Sequence, residues 1–191
     1  MQTRTFDSRI ETREDGKGKH LRGYFAVFDG RYDYPWGDYE TVGRHAFDNT
    51  INDDVRALIN HDTTLVLGRS TADTLELWID DHGLGGDILI NDRDSDADNL
   101  WERCGRGDVT GCSFGFDIIR ESYVIEPRDV WHWTLEEVRL YEVSPCTFPA
   151  YKDTEISAEG RAIRAADDKT LSARRYAHWK KDMEERIRSW H

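Results

Sequence analysis

No apolar run in the 191 residues approaches the roughly 18 that a membrane-spanning helix needs, and the first residues, Met1-Gln2-Thr3-Arg4-Thr5-Phe6, contain no apolar signal core. A soluble, intracellular protein is the expectation. Cysteine is scarce as well. Cys104, Cys112 and Cys146 form no C-x-x-C pair and cannot all be joined within one chain, so neither a zinc site nor a disulfide framework is suggested, and a reducing compartment is the simpler setting. No metal or cofactor is expected. Positive charge is short in most of the chain: the formal net charge is −12, yet residues 158–191 carry nine Lys or Arg against six Asp or Glu, which leaves −15 for residues 1–157. Such an acidic body disfavours a phosphate-backbone partner, and no nucleic-acid or membrane contact is expected. Internal repeats and low-complexity tracts are also missing.

What is there suffices for a fold. A hydrophobic fraction of 38% with 12% aromatic residues exceeds what a disordered chain carries, and the length suits one domain with a tail. The turn chemistry of Asp15-Gly16-Lys17-Gly18 predicts a hairpin returning along 21–28. Residues 43–52 read as a short helix with Ala46, Phe47 and Thr50 on one side. Val55 to Asn60 has the bias of a buried strand and delivers His61-Asp62 at its end. Leu75, Leu77 and Ile79 alternate strictly, as a half-buried strand does. Ser95 or Asp96 is the expected cap of a helix over 97–106. Strands are expected over 111–120 and 130–143, the second only partly in phase and so bulged or twisted. Residues 157–191 turn charge-rich and helix-forming, which sets the expected boundary between a 1–156 domain and a helical C-terminal arm. Many strands, few helices and no alternating βαβ rhythm predict a β-rich α+β protein, a barrel or sandwich.

Within the predicted strand lies Gly111-Cys112-Ser113-Phe114-Gly115, a match to the G-x-S-x-G pattern of hydrolases. In the nucleophile elbow of α/β-hydrolases that serine opens a helix and its histidine comes last; here Phe114 to Ile119 continues as strand. An esterase reading therefore rests on the pentapeptide alone. A nucleophilic serine needs a base within hydrogen-bond reach and a group to orient that base. Of seven histidines, His20, His45, His82, His178 and His191 fall in turns, the short helix or the tail and read as solvated surface residues. His61, at the end of an apolar strand, is aimed by a rigid element; His132, between Trp131 and Trp133, is the other candidate.

The ordered set Gly23-Tyr24-Phe25-Ala26-Val27-Phe28, Gly43 to Phe47, Leu58-Ile59-Asn60-His61-Asp62, Leu67-Gly68-Arg69, Asp81 to Leu84, Gly107 to Phe116 and Leu140-Tyr141-Glu142-Val143-Ser144-Pro145 with Pro149-Ala150 resembles the prohead serine proteases of tailed bacteriophages. The resemblance covers residues 20–156. It implies a fold similar to herpesvirus assemblin, a β-barrel with a few surrounding helices, and a base that precedes the nucleophile. His61 of the NHD motif is then the general base and Ser113, 52 residues later, the nucleophile. Glu142 of the L-x-EVS motif is the implied third member, with His132 its rival because herpesvirus proteases use a second histidine there; Glu137 and Asp62 are weaker rivals. The Arg-Arg pair that helps form the assemblin oxyanion hole has no counterpart within a dozen residues of Glu142, which leaves that role unassigned, with backbone N–H groups near Ser113, Arg139 or Arg69 as options. The implied activity is a serine endopeptidase in the host bacterial cytoplasm, inside the procapsid, cutting phage scaffold, major capsid protein or itself, and self-associating as assemblins do. The alternative is a catalytically inactive assembly or scaffolding protein that keeps the fold.

Overall fold

The computed structural model describes residues 1–7, 10–34, 38–128 and 130–148. The expected helical arm, its boundary at 156/157, His178 and His191 lie outside the described residues. In chain order the strands are β1 (Gln2–Asp7), β2 (Glu11–Asp15), β3 (Gly18–Val27), β4 (Tyr32–Asp33), β5 (Tyr39–Val42), β6 (Arg56–Ile59), β7 (Asp62–Arg69), β8 (Leu75–Ile79) and β9 (Gly83–Leu89), then helix α1 (Ser95–Arg106), β10 (Gly111–Glu126) and β11 (Val130–Cys146).

These strands form two sheets. One is antiparallel, in the order β2-β3-β9-β8; the other runs β1-β10-β11-β5-β4, with β6 on β11 and β7 on β6. Phe25, Leu84 and Ile88 of the first sheet and Phe114, Phe116, Leu135 and Val143 of the second share one hydrophobic core. The protein is β-rich, as expected. Neither sheet closes on itself among the described strands, so the pairing is that of two open sheets and not of a hydrogen-bonded barrel. Helices are fewer than expected too: α1 and a single 3-10 turn at Ser70–Ala72 are the helical elements among the described residues.

β11 organises the molecule. One edge pairs with β10 over its whole length, with register shifts at three places that bend the long hairpin, in line with the imperfect alternation of its sequence. Its other edge pairs in parallel with β5 at 132–135 and with β6 at Glu142 and Val143. Residues 43–52 bridge the gap between these two pairings. Gly43 N–H donates to the Leu135 carbonyl (2.9 Å), Val138 N–H to the Ala46 carbonyl (3.0 Å) and Leu140 N–H to Thr50 Oγ1 (2.9 Å). The helix expected there is instead a succession of turns, because its polar groups are committed to the strand edge and its internal bonds are mostly of the i→i+3 kind.

Helix α1 begins earlier than expected. Asp94 caps it, accepting from the N–H groups of Asp96 and Ala97, with Asp96 and Asp98 in the first turn, Arg103 and Arg106 in the last, and Gly107 at φ 80° closing it. Its buried stripe is Ala97, Leu100 and Cys104. His20 is not the solvated residue expected: it is 7% exposed, with Nδ1 2.7 Å from Asp87 Oδ1. It lies on the face of β3 opposite Leu21 and Phe25, where Asp87 of β9 holds its ring, and Trp101 of α1 covers its backbone by donating from Nε1 to the His20 carbonyl.

Burial pushes the thiols of Cys104 and Cys146 from an ordinary value of 9.0 up to about 12. Their folded values lie above the unfolded ones, so the stability they contribute is fully present below pH 9 and is lost as the pH rises towards 12. Urea midpoints are expected to fall steadily between pH 9 and 11, and Cys104→Ala to flatten that slope; a midpoint unchanged over this range would contradict the burial of both thiols.

Candidate active site

The β6–β7 hairpin closes through two residues, Asn60 and His61, between the paired Ile59 and Asp62. Both have positive φ, 51° and 64°, the backbone of a type I′ turn. Asn tolerates this conformation; His does so at a cost, which the surroundings must hold in place. They do so at β11. Asn60 N–H donates to the Pro145 carbonyl (3.1 Å), its side chain exchanges hydrogen bonds with Thr147, and His61 N–H donates to Ser144 Oγ (3.2 Å). The turn is thereby folded onto the end of β11 with the imidazole over one face of the strand.

That face carries Glu142, Ser144 and Cys146, because alternate residues of a strand point the same way. His61 Nδ1–H donates to Glu142 Oε1 at 2.6 Å, which leaves Nε2 as the free lone pair, and Ser144 Oγ–H donates to Glu142 Oε2 at 2.5 Å. The carboxylate is 2% exposed and the imidazole 22%, so the pair opens to solvent on the histidine side. Gly115 faces Glu142 across the β10–β11 ladder. A methyl group at Gly115 would overlap Glu142 Oε1 and come 2.9 Å from its Cδ. The second glycine of the pentapeptide therefore makes room for the carboxylate. Gly115→Ala is expected to displace Glu142 from His61 and slow turnover by about 100-fold, the scale of a misplacement of about 1 Å; wild-type kinetics in the folded variant would contradict the packing argument.

Ser113 is the third residue of β10, opposite Ser144 on one side and Thr5 of β1 on the other. Cys112, Phe114 and Phe116 point into the core and fix the strand, so Ser113 shares the face of Glu142, Ser144 and Cys146. It is fully buried. Its hydroxyl donates to the Arg4 carbonyl (2.8 Å) and accepts from Thr5 Oγ1 (3.0 Å). The group facing His61 Nε2 is the Cys146 thiol, at 3.6 Å, which also neighbours Ser113. Burial, reinforced by the charge of Glu142, pushes this thiol up to about 12. It is protonated at neutral pH and a poor nucleophile, unlike the depressed thiols of cysteine enzymes.

β1 is anchored from the core side. Arg4 is 2% exposed and grips Glu40 with two bonds, Nε to Oε1 at 2.6 Å and Nη2 to Oε2 at 3.1 Å, while Tyr34 donates to the same carboxylate at 3.0 Å. Burial opposes the guanidinium charge, but Glu40 more than restores it, and Arg4 stays protonated. The strand that holds the Ser113 hydroxyl is thus fixed by a buried ion pair.

The structure therefore brings His61 and Glu142 into contact and sets Ser113 on the same sheet face, without a direct bond from Ser113 to His61. The rivals for the third role lie elsewhere. His132 is ten residues up β11 from Glu142, roughly 30 Å of extended strand, where Nε2 meets Thr41 Oγ1 at 2.8 Å and the ring stacks on Tyr39. Asp62 accepts from the N–H and hydroxyl of Thr64, and Glu137 from Asn49. Arg69 is held by Asp54 through two hydrogen bonds and Arg139 lies over the Tyr141 ring, so neither points an assigned donor at Ser113. Among the described residues no group of three or more His, Cys, Asp or Glu is placed to hold a metal ion. Ser144, Cys146, Thr5 and Arg4 were not singled out from the sequence. The period of two from Glu142 was the available signal for Ser144 and Cys146; the contacts of β1, more than a hundred residues from Ser113 in sequence, had none.

Residues 7–169 match the family model described as Caudovirus prohead serine protease. The chain is 29% identical over 163 residues to the prohead protease of Enterobacteria phage HK97, covering 83% of this chain and 68% of the relative. No solved structure matches significantly. A β-rich scaffold carrying a histidine–glutamate pair and a strand-borne serine, in a chain matched over most of its length, belongs to the Caudovirus prohead serine protease family.

Proposed function

We propose that this protein is the serine endopeptidase of phage head maturation, acting inside the procapsid in the host cytoplasm on scaffold or major capsid protein segments and on itself, with His61 as general base, Ser113 as nucleophile and Glu142 as the group that orients the base. The observation that carries the reading is the 2.6 Å bond from His61 Nδ1 to a buried Glu142 on the sheet face shared with Ser113. With Nδ1–H donated to the carboxylate, Nε2 is the basic nitrogen, and the charge of Glu142 stabilises the imidazolium that forms when it takes a proton. Rotation about the Ser113 Cα–Cβ bond releases Oγ from the Arg4 carbonyl and Thr5 and turns it to the side of Cys146 and His61. Oγ then attacks the peptide carbonyl as its proton passes to Nε2; the imidazolium returns that proton to the leaving amine, and water repeats the cycle on the acyl-enzyme. Residues 158–191, with their surplus of positive charge, suit an acidic partner surface such as the body of another subunit.

One observation favours the second reading, an idle assembly protein with the protease fold: the Ser113 hydroxyl is engaged by β1 and not by His61. A fluorophosphonate probe separates the two. Attack by Ser113 Oγ forms an O–P bond and expels fluoride while His61 takes the proton, so the active enzyme acquires one phosphonyl group on the Ser113 peptide. Failure to label, or labelling at Ser144 or Cys146, would overturn the assignment.

A further inference from the structure

We infer that Ser144 is a positioning residue for the His61–Glu142 pair, a fourth member of the site to which no role has been attached; the inference rests on the catalytic reading of that pair. Its hydroxyl is fully buried and is spent on two partners that belong to different elements. It donates to Glu142 Oε2 at 2.5 Å, two residues away on β11, and accepts from the backbone N–H of His61 at 3.2 Å, in the β6–β7 turn. One hydroxyl therefore fixes the rotation of the carboxylate and the seat of the residue whose ring the carboxylate holds.

Both ends need fixing. Glu142 has three rotatable bonds, and its Oε1 must meet Nδ1 while its Oε2 lies buried; without a donor, that second oxygen would be an unsatisfied buried acceptor and would favour turning the carboxylate away from the ring. His61 sits at φ 64°, where a non-glycine residue persists only under restraint. Ser144 supplies the restraint at its N–H, beside the Asn60 bonds to Pro145 and Thr147. Its place in the ladder explains why the residue is small: Ser144 is paired with Ser113, so a bulky side chain would enter the space between the nucleophile and the base. Ser144 is not itself the nucleophile, because its proton is committed to the carboxylate and Nε2 faces Cys146.

The test compares Ser144→Thr with Ser144→Val, which have nearly the same shape and differ in the hydroxyl, so that packing strain is common to both. The readout is the second-order rate constant for fluorophosphonate labelling of Ser113 in the full chain, which needs no identified substrate. Thr is expected to label at least 10-fold faster than Val at matched thermal midpoints. The second measurement is a cycle with Glu142→Gln. Ser144→Ala is expected to slow labelling 10- to 100-fold in the wild-type background and by a factor at least 3 times smaller in Glu142→Gln, because only its hold on the His61 N–H is then left to lose. Equal rates for Thr and Val, or the same loss from Ser144→Ala in both backgrounds, would overturn the inference and leave the pair standing. If Glu142→Gln alone labels at the wild-type rate, the reading of the pair falls, and the role of Ser144 falls with it.

Discussion

Ser113→Ala is expected to abolish peptide-bond cleavage, by a factor of about 10⁵ to 10⁶ when turnover can be quantified, the scale on which a triad enzyme loses its nucleophile. The fold should survive. The substitution removes two hydrogen bonds at β1, to the Arg4 carbonyl and from Thr5, while the Arg4–Glu40 pair and six residues of β1–β10 pairing remain. The loss in stability should be about 2 to 3 kcal/mol for two bonds of a buried hydroxyl, a shift of several degrees in the thermal midpoint. Cleavage assays on purified protein, with circular dichroism melts alongside, check both parts. Residual cleavage that iodoacetamide removes would instead assign the chemistry to Cys146, the thiol facing His61 Nε2. That thiol is protonated at neutral pH, so it would need His61 as its base just as the alcohol on the neighbouring strand does.

Glu142→Gln should cost nearly as much, about 10⁴-fold in turnover, with little change in substrate affinity. The amide is the same size and can stay in the space that Gly115 leaves, so packing is preserved. What changes is the proton on the ring. A carboxylate accepts only, and forces the hydrogen onto Nδ1; an amide can present its NH2 group, which favours the tautomer with hydrogen on Nε2 and removes the base. The buried charge that stabilises the imidazolium is lost as well. His132→Ala is the contrasting variant: with its ring stacked on Tyr39 and bonded to Thr41, its removal should change turnover less than 2-fold. A large loss from His132→Ala with Glu142→Gln unaffected would reverse the two roles.

Much of the sheet structure was legible from alternation and turn chemistry. The Asp15 to Gly18 hairpin, the strand through Leu75, Leu77 and Ile79, and the strand carrying Ser113 lie where their patterns place them. Three features were misread for physical reasons. The spacing of Ala46, Phe47 and Thr50 imitates a helical face, but the backbone there serves the unpaired edge of β11, a demand that local periodicity does not record. His20 sits between charged and turn residues and looks exposed, yet an Asp 67 positions away makes its burial possible. Closure of the sheets into a barrel is a matter of long-range pairing, and the strands found leave both sheets open.

At the site, His61 was a candidate from its place at the end of an apolar strand, whereas Glu142 was visible only through motifs that resemble a family; their contact was not. It depends on β6 lying parallel to β11 and on a two-residue turn with positive φ at both positions, signalled by Asn60 but not by any glycine. The position of Ser113 beside β1 has no local signature at all. Thr5 and Ser113 become neighbours through a strand pairing that spans 108 residues, and the hydroxyl contacts made there define the resting state from which the proposed attack begins.

Intact-mass and peptide mass spectrometry of the full chain co-expressed with the major capsid protein of its phage tests the central claim most directly, run in parallel on the wild type and Ser113→Ala. Discrete new termini are expected on the capsid protein and on the protease itself in the wild type, and none of them with Ser113→Ala. The same termini in both samples would contradict that claim.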